Sequence, residues 1–340
     1  MTDAPLNAAA LHKDALVIDS LVYHADGWPD DLRAGQVDAI QVTACNFECD
    51  FEQACQEVAR WHARFNEPDS AWMPIETVAD FDRARAAGKI GAILGWQNTR
   101  PIADRIERLH LFHKLGLRVM QLTYNYRNML GDGCLEPEGA GLTTYGREVV
   151  AEMNRLGIAI DLSHVGYRTA MDTIEASEKP VMVTHANAHA LTPLARNKPD
   201  DLIWALVAKG GYIGTSIYGP MNWDGDETRK PGIDDYLRHV DYLANLAGPE
   251  NIGFGTDLST GADLPKIAFE RTPPRRWDGI NKFNKIFGEA IPERYLAEVR
   301  SHADLPKVTE ALVKRGWPES QIRGYLGENF KRKLGEIWAS

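Results

Sequence analysis

No block of the chain is rich in lysine or arginine, and the net charge is −10 over 340 residues. A nucleic-acid surface needs a basic patch, so that partner is not expected. No apolar run exceeds the length of a strand, which argues equally against a membrane span. A G-x-G-x-x-G turn is missing from "VIDSLVYHADG", where a dinucleotide-binding open sheet would carry it. The opening "MTDAPLNAAALHKDALVID" has early acidic residues and no basic stretch leading into an apolar one, so it does not read as a signal peptide. Four cysteines, Cys45, Cys49, Cys55 and Cys134, are too few and too clustered for a disulfide framework. A cytoplasmic chain is the expectation.

What is present is ordinary globular usage, with 44% hydrophobic and 25% charged residues. Eight strand-like runs follow one another: "ALVIDSLV" (15–22), "DAIQVTAC" (38–45), "IGAILGWQ" (90–97), "RVMQLTYN" (118–125), "IAIDLSH" (158–164), "PVMVTHA" (180–186), "GYIGTSIY" (211–218) and "IGFGTDL" (252–258). Amphipathic, helix-like segments separate most of them. "TTYGREVVAEMNRLG" (143–157) has a threonine cap, helix formers and a glycine stop, and "DDYLRHVDYLANLAG" (234–248) repeats the design. Eight strand-then-helix units predict an α/β fold, a (β/α)8 TIM barrel, with extra C-terminal helices formed by the tail from "DLPKVTEALVKRG" onward. No Pro/Gly/Ser-rich linker divides the chain, so residues 1–340 read as one barrel domain. A doubly wound open sheet is the alternative, disfavoured by the missing glycine-rich turn.

Barrels of this kind carry their chemistry at the C-terminal ends of the strands. The residues there are Tyr23 and His24, Cys45 and Asn46, Gln97, Tyr124 and Asn125, His164, His185, Tyr218 and Asp257, in the order of the eight runs. The fifth and sixth runs both lead apolar, β-branched residues into a histidine. Neighbouring strands lie about 4.8 Å apart, so the imidazoles of His164 and His185 can approach one cation. Neutral imidazole suits Zn²⁺, and Asp257 opposite could take a proton from water on such a metal. The plainer reading leaves each histidine a hydrogen-bonded polar residue near the surface.

Elsewhere the plain reading leads. His110 and His113 share a helix face and read as solvated, and His12, His62, His239 and His302 read as surface residues. His189 lies close enough to the sixth run to line a pocket. Cys45, Cys49 and Cys55 form C-x3-C-x5-C, which matches no standard zinc spacing and suggests packing. Asp224, Asp226 and Glu227 lack the glycine and final glutamate of a calcium loop and read as a polar loop. Arg196, in "ARNKPDD", follows the sixth run and precedes a helix that Asp200 or Asp201 could start. It fits a bidentate clamp for a substrate carboxylate, and equally a surface ion pair.

The strings "GLTTYGREVVAEMNRLGIAIDLSHVG", "PVMVTHANAHAL", "RNKPDD", "IGFGTDLSTG" and "LGENFKRKL" resemble, in order, the membrane dipeptidase (renal dipeptidase, peptidase M19) family of the amidohydrolase superfamily. That resemblance implies a (β/α)8 barrel, hydrolysis of dipeptides (including those with a D- or dehydro-residue on the C-terminal side) and zinc as cofactor. It makes His164 and His185 the two zinc-binding histidines, Asp257 the catalytic base and Arg196 the ligand of the substrate carboxylate. The chain also departs from the family pattern. The D-G-H-x-D that supplies a histidine and an aspartate to one zinc is here "DSLVY", with Leu21 and Tyr23 at those positions. The glutamate that bridges two metals aligns with Gln97, and the histidine that polarises the substrate carbonyl aligns with Tyr124. His24 and Asp26 form an H-x-D three positions late, and an odd register shift reverses the face a residue points to.

The resulting expectation is a metallohydrolase holding one Zn²⁺ on His164 and His185, with Asp257 as base and Arg196, Tyr124 and Gln97 lining the substrate site. The substrate is a small amide or dipeptide-like molecule with a free carboxylate, and the resemblance favours a homodimer. Two alternatives stand beside it: a metal-free pseudoenzyme that binds a small carboxylate, and a lyase or cyclic-amide hydrolase using Tyr124 and Asp257 as acid and base.

Overall fold

The computed structural model describes residues 6–25, 29–137, 139–260 and 295–339. The described residues form ten strands, paired in parallel: β1 Ile18–Ala25, β2 Ala39–Cys45, β3 Trp72–Pro74, β4 Ile90–Trp96, β5 Leu117–Gln121, β6 Ala159–Asp161, β7 Met182–Val183, β8 Tyr212–Thr215, β9 Ile252–Phe254 and β10 Leu258–Thr260. They pair in the order β10-β1-β2-β4-β5-β6-β7-β8-β9, with β3 beside β4 off that path. β9 and β10 are two halves of one extended segment. The first half pairs with β8 and the second with β1, so the sheet curls back on itself as a TIM-type barrel with helices outside.

Eight strands fall within or across the eight predicted runs. The two additions are β3, a three-residue piece ending on proline, and the break of the eighth run into two strands. Every residue of β2 and β4 is buried, as expected of strands covered on both faces. Ile18, Ala39, Ile93, Val119, Ala159, Met182 and Tyr212, most of them near the N-terminal ends of their strands, form one apolar cluster inside the barrel floor. The opposite face of the sheet packs on the helices in a second, larger core.

The helices follow their local signals. The helix Thr144–Leu156 starts on Thr143, whose Oγ1 accepts from Gly146 N at 2.9 Å, and stops at Gly157 with φ 72°. Only glycine takes that left-handed turn without steric cost. The helix Ile233–Ala247 also ends on a glycine, Gly248, at φ 86° and ψ 136°. The helix Asp200–Ala208 opens with Asp200 and Asp201 in its first turn, where acidic side chains meet the helix dipole favourably. The tail forms the helices Leu305–Lys314, Glu319–Arg323 and Asn329–Trp338. Phe330, Leu334 and Ile337 of the last one join the floor cluster, Phe330 lying 5.2 Å from Tyr212 between ring centroids. The C-terminal helix therefore stoppers the bottom of the barrel, and the top is left to chemistry.

Candidate functional site

The site begins where β6 and β7 give up the ladder. Asp161, the last residue of β6, is 2% exposed, and its carboxylate accepts from Ser163 N (3.0 Å), Ser163 Oγ (2.6 Å), Thr184 N (2.9 Å) and Thr184 Oγ1 (2.8 Å). These bonds replace strand pairing and tie the two strand ends to each other. That is why β6 and β7 are only three and two residues long although the apolar runs continue. His185 N then donates to Ser163 Oγ at 3.0 Å. The outcome is that His164 and His185, 21 residues apart in sequence, face each other with their Nε2 atoms 3.0 Å apart, both buried.

Each ring is fixed by its other nitrogen. His164 Nδ1 lies 2.7 Å from Asn125 Oδ1, an acceptor, so Nδ1 carries the hydrogen and Nε2 the lone pair. His185 Nδ1 lies 2.8 Å from Thr184 Oγ1, whose own hydrogen goes to Asp161, so here too Nε2 keeps its lone pair. Burial, and then the charge of Arg196, hold both imidazoles well below their ordinary pKa, so both are neutral. Two facing lone pairs repel unless a cation lies between them. Two imidazoles at about 2.1 Å from one tetrahedral ion stand about 3.4 Å apart, close to the observed spacing. Orientation of each ring by an outer hydrogen bond is also how metal-binding histidines are held. The donor set fits one divalent ion.

It does not fit two. Among the described residues no group of three or more His, Cys, Asp or Glu side chains could hold a metal. Leu21 is fully buried and cannot ligate. Gln97 is 1% exposed; its Nε2 donates to Thr43 Oγ1 at 2.8 Å, and its Oε1 has no partner among the described residues. Asp26 and the side chain of His24 lie outside the described residues.

Arg196 is 1% exposed, and its guanidinium donates to the carbonyls of Ser163 and His185, the latter at 3.0 Å. The surface ion pair considered for it is therefore ruled out by its depth. Lys198, which the sequence did not single out, is equally buried and donates to Val165 O at 3.2 Å. Burial, then the neighbouring Arg196, push its amine down to about 7.

Tyr124 stacks on His164 (centroids 4.1 Å, planes 22° apart) and is covered on its other face by Phe47 (3.8 Å, 4°). Burial and the nearby Tyr23 and Asp257 hold its phenol well above the ordinary range, so it stays protonated. Asp257 sits in the break between β9 and β10 with φ 60°, a left-handed conformation that a non-glycine residue adopts only when its surroundings hold it there. Its N–H donates to Leu21 O at 3.0 Å, and its carbonyl accepts from the Tyr295 hydroxyl at 3.2 Å. Burial pushes its carboxyl up to about 7, with Asp19 adding to the rise and Arg196 opposing it.

The histidines read as surface residues are a correction. His12 (1% exposed), His239 and His302 (both fully buried) lie under the helix layer. His12 bonds Thr309 Oγ1 and Gly35 O, His239 meets Ala188 N and Thr192 Oγ1, and His302 meets Asp19. Their partners are remote in sequence, so no local signal shows the burial. His62 is half-buried against Leu115 O, and His189 is exposed. Cys45 and Cys49 are buried free thiols, in keeping with packing. Asp224, Asp226 and Asp235 are gathered by Arg229, as a polar loop.

The membrane dipeptidase family (Peptidase family M19) matches residues 29–270. The dipeptidase aclJ of Aspergillus oryzae is 28% identical over 286 residues, 83% of this chain, and the chain spans 60% of that relative's length. An amidohydrolase from Pseudomonas aeruginosa superposes with a TM-score of 0.85 at 31% identity, covering 98% of this chain and 100% of the other. A metallo peptidase from Rhodobacter sphaeroides, solved with a phosphinate mimic of the dipeptide L-Ala-D-Ala, shares the fold with a TM-score of 0.78 at 20% identity, covering 96% and 100%. No described helix is long and apolar enough to cross a membrane.

Proposed function

The chain belongs to the membrane dipeptidase family, peptidase family M19, and from that membership we propose that it is a metal-dependent hydrolase of a small dipeptide-like amide with a free carboxylate. The observation that carries the reading is the facing pair of Nε2 lone pairs on His164 and His185, each ring oriented from behind. These two residues would hold one Zn²⁺, which when bound polarises an amide carbonyl and brings the pKa of water toward neutrality.

The remaining roles belong to the chain itself. Arg196, anchored through two carbonyls, offers its other N–H groups to the substrate carboxylate. Asp257, with a carboxyl titrating at about 7, accepts and returns a proton near neutral pH. Tyr124 keeps its proton and donates to the substrate carbonyl, in place of the family's histidine. Gln97 Oε1, buried and without a partner among the described residues, accepts an N–H of the substrate. Phe47 fixes the Tyr124 ring and with it the direction of the phenol O–H. Resemblance to the family extends the proposal to a homodimer, and the few, clustered cysteines extend it to a cytoplasmic one.

One observation favours a second reading. Arg196 and Lys198 put positive charge beside the histidines, which suits a metal-free site for a small carboxylate. The test is a screen of dipeptides, N-acyl amino acids and cyclic amides with zinc-loaded and chelator-stripped protein. Zinc-dependent turnover of a carboxylate-bearing amide supports the hydrolase. Carboxylate binding that survives chelation, without turnover in any arm, replaces it with the binding protein.

A further inference from the structure

Asp257 owes its place to residues that never reach the pocket. Asp19 on β1 is fully buried, and its carboxylate collects four donors from three separate segments. Leu21 N (3.0 Å) belongs to β1 itself; Thr256 N (2.9 Å) and Thr256 Oγ1 (2.5 Å) belong to the β9–β10 break; His302 Nε2 (3.0 Å) comes from the C-terminal region. The bonds then continue into the turn. Thr256 Oγ1 accepts from Leu258 N at 3.1 Å, and Leu21 O accepts from Asp257 N at 3.0 Å. Thr256 is thus tied directly to Asp19, Leu258 to Asp19 through Thr256, and the N–H of Asp257 to it through Leu21. This is the point where the barrel closes, and β1 carries register shifts on both its edges here, toward β2 after Asp19 and toward β10 after Val22.

We infer that His302 is a positioning residue for Asp257: by anchoring Asp19 from outside the barrel wall, it holds the Thr256–Leu258 turn that keeps Asp257 left-handed and in register with the histidine pair. The imidazole is fully buried, and its Nδ1 has no hydrogen-bond partner among the described residues. An apolar ring would fill the same space without stranding a nitrogen, so packing alone does not account for a histidine here. Its contribution is the N–H directed at Asp19. A left-handed aspartate has no intrinsic preference for its conformation, and slackening one corner of the network lets it relax toward the commoner regions. A carboxylate that must meet a reacting proton tolerates little displacement, and about 1 Å of misplacement costs on the order of a hundredfold in rate.

The inference rests on the hydrolase reading for its kinetic consequence but not for its structural one, and the test separates them. His302→Phe keeps the ring and removes the donor; His302→Gln keeps a donor within reach of Asp19. Zinc-loaded His302→Phe should lose about 10- to 100-fold in kcat with KM and zinc content unchanged, and His302→Gln should recover much of that loss. Independently of any substrate, amide exchange at 256–258 should quicken in His302→Phe and return toward wild type in His302→Gln. Should His302→Phe fail to fold, Thr256→Val, which cuts the hydroxyl link while leaving His302 in place, should reproduce both effects. Wild-type exchange at 256–258 in His302→Phe would overturn the inference, whatever the protein hydrolyses. So would equal losses of kcat and thermal stability in the Phe and Gln variants, which mark a histidine that only packs. If wild-type protein hydrolyses nothing while the exchange pattern appears as described, the positioning stands and the hydrolase reading falls.

Discussion

Replacing Asp257 by asparagine should make the protein more stable and idle. The carboxyl is held at about 7 instead of 3.8, chiefly because burial penalises its charge. Between those two values the folded chain keeps a proton that the unfolded chain has released, so stability falls as pH rises through this window and is level above it. The gap of about three pH units, at about 1.4 kcal/mol each, amounts to roughly 4 kcal/mol lost by pH 8, against under half of that at pH 5. Asparagine has the shape of the protonated acid, tolerates the left-handed turn and does not titrate. Its advantage over wild type in urea unfolding should therefore grow by roughly 3 kcal/mol between pH 5 and pH 8. Chelator keeps a bound cation from pulling the carboxyl back down. The neighbours do not blur the comparison: His164 and His185 stay neutral across this range, Tyr23 and Tyr124 stay protonated, and Lys198 titrates alike in both proteins. Parallel stability profiles for the two proteins would show that the carboxyl is not strained by its site, and would remove the physical ground for Asp257 as a base near neutral pH.

Three further outcomes are expected. His164→Ala and His185→Ala should each abolish zinc retention, with wild type holding at most one ion per chain by elemental analysis; two full ions would mean that residues outside the described ones supply a second site. Turnover should rise about tenfold per pH unit below the pKa of Asp257, which a bound cation draws down from about 7, and level off above it, since the ionised Asp257 is the base; residual turnover with the same acid limb in Asp257→Asn would contradict this role. Arg196→Ala should weaken binding of a carboxylate substrate by about 2–4 kcal/mol in KM or competition assays. It should also lower unfolding stability by about 1–3 kcal/mol, because two buried carbonyls lose their donor; unchanged values on both counts would return the residue to a passive part.

The barrel was legible because its strands are covered on both faces and so read as unbroken apolar runs. The caps Thr143 and Gly157 were legible because they act over one helical turn. The convergence of His164 and His185 could be anticipated from strand-end placement, since neighbouring strands of a barrel must come close. What escaped notice was set by long-range partners. Asp19 and His302 meet across 283 residues, and nothing local distinguishes His302 from an exposed histidine. Asp161 carries no local signal of its role within the fifth run, although it shortens β6 and β7 and turns their ends into a ligand platform. The break of the eighth run at Asp257 was hidden as well, because a left-handed aspartate leaves no mark in composition.

The C-terminal helix has a consequence for how the molecule comes into being. Residues from seven strands line the barrel floor, but the floor is complete only when Phe330, Leu334 and Ile337 arrive, and Lys179 then ties down the end of their helix through the carbonyls of Ile337 and Ala339. During synthesis the strands leave the ribosome in order, yet their shared interior stays open to water until residues 330–337 have followed them. Assembly is therefore closer to a single late event than to a growing series of finished units. A chain cut off before Phe330 would hold every described strand with its underside exposed, a species for chaperones to hold or proteases to clear.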